Sequence, residues 1–129
     1  MDSLYREHIL DHFRTPRHRG RLLHATASFK AWNPLCGDKI VVDLELYRSG
    51  TSVLLLKDMG WEGEGCAISL AAASMLSEEI IGKSVKEVQK LTYEDMLGFL
   101  KISLTPARLK CGMLAREGVK GALEHYART

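Results

Sequence analysis

Residues 40–47 read IVVDLELY, and this clean alternation is the strongest constraint on what the chain can fold into. Ile40, Val42, Leu44 and Leu46 fall on one face and Asp43 and Glu45 on the other, which predicts a strand buried on one side only. The turn-forming stretch RSGT (48–51) follows, then a second run, SVLLLKDMGW (52–61), so the two runs predict an antiparallel hairpin. An isolated hairpin is marginal in water and needs something packed on its apolar face. The segment AISLAAASMLSEEII (67–81) supplies it, because alanine and leucine-like residues lie on nearly all sides until Glu78 and Glu79. A helix of that kind is stable only when buried.

The flanking segments follow the same rules. Leu4, Tyr5, Ile9, His12 and Phe13 at helical spacing predict a first helix over 3–14, with Asp2 or Ser3 as cap and Pro16 stopping it. Phe29–Trp32 predicts a brief strand. Gly82 suits the end of the central helix, and Ser84 with Glu87 and Thr92 with Asp95 predict two further helix starts. TPARLKCGMLAREGVKGALEHYA (105–127) predicts a long last helix, starting between Thr105 and Cys111 and weakened by Gly112, Gly118 and Gly121. The order of elements predicts an α+β domain in which helices cover one face of a small antiparallel sheet. With 129 residues, one domain over 1–129 is expected.

Composition excludes several function classes. Hydrophobic residues make up 46% and charged residues 26%, the proportions of a globular chain rather than a disordered one. A formal charge of +2 gives no broad basic face for nucleic acid; the one concentrated stretch, RTPRHRGR (14–21), reads as a solvated basic loop. The longest apolar stretch is about half a membrane span, and the N-terminus lacks the basic-then-apolar layout of a secretory signal, so a cytoplasmic protein is expected. Cys36, Cys66 and Cys111 form an odd, scattered set without a CxxC pair, which argues against a disulfide framework.

Each cysteine stands at an element boundary beside Gly, Pro or charge, not in the middle of an apolar strand or helix where a merely core-filling thiol sits. Cys36 and Asp38 lie two apart in NPLCGDK (33–39), so in an extended chain both face one side. Cys66 follows GWEGEG (60–65) and precedes the central helix, whose dipole favours thiolate; Cys111 lies behind Arg108 and Lys110, whose charge does the same. Three thiols and a carboxylate make a four-ligand set suited to zinc or to one end of an iron–sulfur cluster, with Arg108, Lys110 or Lys39 offsetting its negative charge. Asp38, the hardest donor, is the ligand that lets a soft metal go most easily. The five histidines offer a Cys–His pair on paper, but none is close in sequence to a cysteine, and His8 and His12 read as partly exposed packing residues.

Four ordered blocks, LYREHILDHFRTPRHRG (4–20), NPLCGD (33–38), GEGCAIS (63–69) and RLKCGML (108–114), resemble the U-type iron–sulfur assembly proteins, the IscU, SufU and NifU N-terminal family, over almost the whole chain. The resemblance implies helices on a three-stranded antiparallel sheet, with Cys36, Asp38, Cys66 and Cys111 at one tip. It implies a scaffold that takes sulfur from a cysteine desulfurase, builds a transient [2Fe–2S] cluster and passes it to apo iron–sulfur proteins. A zinc-dependent sulfurtransferase is the alternative, with zinc on the same four residues and Cys111 as sulfur acceptor; a structural zinc domain that presents a surface for partners is the third. The chain mixes branches: Lys110 replaces the histidine that IscU-type members carry before the third cysteine, as in SufU, yet the extra SufU segment between Cys66 and Cys111 is missing. LTPAR (104–108) stands where IscU carries the L-P-P-V-K read by a dedicated chaperone, so chaperone-assisted transfer is not implied.

Overall fold

The computed structural model describes residues 3–34, 37–50, 52–101 and 103–128. The elements run α1 (Ser3–Arg14), β1 (Ala27–Asn33), β2 (Asp38–Arg48), β3 (Leu54–Glu64), α2 (Ala67–Ile80), α3 (Val85–Gln89), α4 (Tyr93–Leu100) and α5 (Pro106–Arg128). The three strands form one antiparallel sheet in the order β1-β2-β3, with β2 central and a register shift between Glu45 and Leu46. This is the α+β arrangement read from the sequence. The inner face carries Ile40, Val42, Leu44 and Leu46, joined by Met59 and Trp61 of β3, and α5 and α2 pack on it. Alternation put these side chains there; burial of their apolar area is what holds the layers together.

Local signals appear where the sequence put them. Ser84 with Glu87 and Thr92 with Asp95 form reciprocal capping boxes, and Gly82 closes α2 at a φ of 94°. Of the two candidate caps for α1, Asp2 lies outside the described residues and Ser3 is already the first helical residue.

The glycines of α5 have a steric reason. A Cβ at Gly118 would lie 2.6 Å from Val42 Cγ2, and one at Gly121 2.5 Å from the Phe29 ring. The helix therefore sits so close to the sheet that a larger residue at either position requires its neighbour to move. The two positions differ in what can yield. Alanine gains about 1 kcal/mol of helix propensity over glycine, but Val42 is wholly buried whereas Phe29 is 42% exposed and free to rotate outward. Gly118→Ala is expected to lose about 1 kcal/mol net through overpacking, and Gly121→Ala to be neutral or slightly stabilising, as read by urea denaturation. Equal effects would show that helix–sheet spacing does not govern these sites.

The outer face of the sheet departs from expectation. Asp43, placed with Glu45 on the wet face, is wholly buried because residues 20–22 fold flat over it; a Cβ at neighbouring Gly60 would strike the Gly20 carbonyl and the Leu22 side chain. Arg21 clasps the Asp43 carboxylate with two N–H groups at 2.6 and 3.0 Å, the Leu22 amide donates at 3.0 Å and Ser28 Oγ at 2.6 Å. The basic stretch is thus not free: Arg17 pairs with Asp11 and Arg19 with Glu62, each at 2.8 Å. His12 is also deeper than its sequence position suggested. It is 6% exposed, with Nδ1 2.7 Å from Ser74 Oγ and Nε2 3.5 Å from Glu78. Burial, then the Arg17 charge, lowers its pKa below the usual histidine value, so the ring is neutral at pH 7.

Candidate metal centre

Three elements converge at one end of the sheet. Asp38 opens β2, Cys66 is the N-cap of α2, and Cys111 lies in the second turn of α5. One ligand atom from each falls within 4.8 Å of the others. Cys36, the fourth residue of the set read from the sequence, lies outside the described residues. Gly37, which follows it, has a φ of 76° and donates its amide to the Asn33 carbonyl at 2.9 Å, a turn that disfavours any side chain larger than hydrogen.

The β3 end is shaped to let these residues approach. β3 continues to Glu64, three residues past the predicted end, so the GWEGEG glycines lie within and just beyond the strand. A Cβ at Gly63 would collide with the Lys39 carbonyl, and one at Gly65 would stand 3.0 Å from Asp38 Cγ and 3.1 Å from Ser69 Cβ. These two glycines let β2 and the start of α2 close on each other. Asp38 faces inward with Ile40, which by strand alternation turns Lys39 to the other side.

Ser69 is the residue that the sequence reading left without a role. It is wholly buried, its hydroxyl donates to Asp38 Oδ2, and its Oγ lies 3.4 Å from Cys66 Sγ. The signal was present in CAIS: a side chain three residues after an N-cap faces that cap. Burial by itself raises the Cys66 pKa. Hydrogen bonds from the Ser69 hydroxyl, the Ser69 amide, the Cys111 thiol and the Ile68 amide more than reverse this, leaving Cys66 below the ordinary thiol value. Ser69 has one hydroxyl proton, so Asp38 and Cys66 compete for it; while Asp38 holds it, the two first-turn amides and the Cys111 thiol are what favour the Cys66 thiolate.

The basic neighbours separate by helix geometry. α5 begins at Pro106, so Arg108 and Lys110 are about 200° apart around its axis. Arg108 shares a cavity with Cys66, whereas Lys110 lines a different one with Trp32, Asn33 and Pro34. The thiols differ in access too: Cys111 is 4% exposed and Cys66 is half-buried. His8 and His12 line a third cavity with Met75, Glu78 and Phe99, not the one at Cys66.

The donor set fits a small soft cation. Tetrahedral zinc with sulfur at about 2.3 Å requires donors roughly 3.8 Å apart, so a group spanning 4.8 Å closes on an ion with side-chain shifts of about an ångström.

Comparison with known proteins gives the same direction. "Zinc-dependent sulfurtransferase SufU" of Bacillus subtilis is 33% identical over 132 residues, covering 89% of this chain and 86% of that one. "Iron-sulfur cluster assembly scaffold protein IscU" of Thermotoga maritima is 36% identical over 141 residues, covering 97% and 96%. Among solved structures, a putative iron-sulfur cluster assembly scaffold protein for the SUF system from Fervidobacterium islandicum superposes with a TM-score of 0.73 at 28% identity, covering 91% of this chain and 94% of that one. The family model described as the NifU-like N-terminal domain matches residues 4–129, and the chain belongs to that family.

Proposed function

We propose that this chain is an iron–sulfur assembly scaffold, a single domain over residues 1–129 acting in the cytoplasm. It receives sulfur from a cysteine desulfurase, joins it with iron as a [2Fe–2S] cluster held by Cys36, Asp38, Cys66 and Cys111, and hands the cluster to apo iron–sulfur proteins. The observation that carries this reading is the convergence of Asp38, Cys66 and Cys111 from three separate elements, within 4.8 Å of one another. Thiolates suit iron as cargo, and one carboxylate among them gives a bond that breaks first. Ser69 favours release, because a hydrogen bond to the Asp38 carboxylate draws electron density away from any cation it holds. Cysteines that form no disulfide among the described residues suit the reducing cytoplasm; among the described residues no helix is long and apolar enough to cross a membrane.

A second reading is favoured by Lys110, which stands where a histidine ligand would otherwise be, and by the name of the Bacillus relative. In it the same four residues hold zinc, which when bound keeps the thiolates deprotonated, and Cys111 takes sulfur from the desulfurase persulfide. Cys111 must then be uncovered, since it lies at the rear of the group and Leu104 Cδ1 packs against the neighbouring Gly112.

Anaerobic purification, metal analysis and visible absorption, before and after incubation with iron, cysteine and a desulfurase, test both. Cluster colour that moves to an apo-ferredoxin is expected. Stoichiometric zinc without cluster colour, but with faster desulfurase turnover, would replace the scaffold reading with the second; zinc with neither effect would leave a structural centre. Asp38→Ala is expected to retain the cluster and slow its transfer about tenfold or more, the low end of what one tuned metal contact is worth. Unchanged transfer would remove the labile-ligand role.

A further inference from the structure

A cavity of about 440 Å³ opens onto Cys66, lined by Ala67, Ile68, Ser103, Leu104, Thr105 and Arg108. That volume is on the scale of sites for small ligands. Its walls are apolar at Ala67, Ile68 and Leu104, with the Ser103 and Thr105 hydroxyls and the Arg108 guanidinium as polar groups. Arg108 is exposed and makes no ion pair with any described residue, unlike Arg17, Arg19 and Arg21. An unpaired guanidinium and a half-buried thiol in one groove are a complementary surface for a molecule with a carboxylate at one end and sulfur at the other.

We propose that this groove admits low-molecular-weight persulfides that carry a carboxylate, giving the protein a sulfur source that bypasses the desulfurase. Arg108 binds the carboxylate and Ile68 and Leu104 flank the methylene chain, setting the outer sulfur of the donor toward Cys66. The Cys66 thiolate attacks that sulfur. The donor's S–S bond breaks as the Cys66 Sγ–S bond forms, and the donor leaves as a thiolate with the electron pair of the broken bond. The transferred sulfur keeps its proton, and nothing is oxidised or reduced overall. Cys66 is the receiving thiol because it stands in the groove, while Cys111 lies behind it. The inference rests on the sulfur-accepting part of the proposed function.

The test uses the purified full chain and two donors of similar size, the hydropersulfides of 3-mercaptopropionate and 2-mercaptoethanol, with addition of sulfur to the protein followed by intact mass. The wild type is expected to react about tenfold faster with the carboxylate donor, a preference worth about 1.4 kcal/mol. Arg108→Gln should bring the ratio near one and Arg108→Lys should keep part of it. Lys110→Gln, the same charge change on the other side of α5, should leave the ratio intact, and Cys66→Ser should abolish rapid sulfur uptake. Equal rates in the wild type, a preference surviving in Arg108→Gln, an equal loss in Lys110→Gln, or uptake unchanged in Cys66→Ser would each overturn the proposal. Cluster assembly is read separately. A chain that discriminates between donors but builds no cluster keeps the groove and loses the scaffold reading, and a chain that builds a cluster without discriminating does the reverse.

Discussion

Replacing Trp61 by alanine is expected to lower the unfolding free energy by about 3–5 kcal/mol, the usual cost of deleting a wholly buried large aromatic side chain. The ring has no exposed surface, and its Nε1 donates to the Arg17 carbonyl at 2.9 Å. The Trp61 backbone also ties residues 18–20 to the edge of β3, donating to His18 O at 3.3 Å and accepting from the Gly20 amide at 2.6 Å. Arg19 lies over the ring, 5.3 Å from its centroid. Losing the ring therefore leaves a cavity and frees the segment that covers Asp43. For a domain whose total stability is of order 5–15 kcal/mol, such a loss brings the variant near its unfolding threshold. Urea denaturation followed by circular dichroism measures it. Trp61→Phe keeps most of the bulk and loses the Nε1 bond, so it should cost only about 1–2 kcal/mol. A change under 1 kcal/mol for Trp61→Ala would mean that the strap of residues 17–22 is held without the ring.

Asp43→Asn should cost about 2–3 kcal/mol at pH 7, the scale of lost hydrogen bonds to a buried charge. The amide cannot accept from Arg21, Ser28 and Leu22 as a carboxylate does. The loss stays below that of a fully buried pair because the Arg21 side chain is 58% exposed and remains solvated when its partner is gone. Burial alone would raise the Asp43 pKa; the bonds from Arg21, Ser28 and the Leu22 amide outweigh it and hold the carboxyl below its ordinary value. A carboxyl depressed on folding adds stability that is present above its unfolded pKa, near 4, and is lost as pH falls through the lower folded value. The gap between wild type and Asp43→Asn should therefore be full at pH 5 to 7 and shrink below pH 4. Denaturation curves across that range decide it, and a gap that stays constant down to pH 2 would show that Asp43 contributes through packing rather than through its charge.

The same residue marks the boundary of what can be read in advance. From alternation alone Asp43 belongs on a wet face, and it does point away from the helices. What buries it is a segment about 20 positions earlier in the chain, and no local pattern announces that residues 20–22 will lie across it. His12 is similar, since its burial depends on Ser74 and Glu78 of α2. The reach of β3 to Glu64 depends on the Lys39 backbone beside Gly63, and the glycines of α5, which weaken the helix taken by itself, depend on Val42 and Phe29.

By itself the sequence determined whatever rests on neighbours within one turn or one strand: the hairpin from IVVDLELY, the buried central helix, both capping boxes, the helix starting near Pro106, and the nomination of Cys36, Asp38, Cys66 and Cys111 as ligands by residue type. Only the tertiary structure decided distances. It brought Asp38, Cys66 and Cys111 from positions as far as 73 residues apart to within 4.8 Å, inserted Ser69 between a carboxylate and a thiol, sent Arg108 toward the site and Lys110 away from it, and left Cys66 rather than Cys111 facing the groove. Local order follows from backbone geometry, which is short-ranged and repeats. The site follows from how the sheet and helices pack, which depends on contacts between residues far apart in the chain.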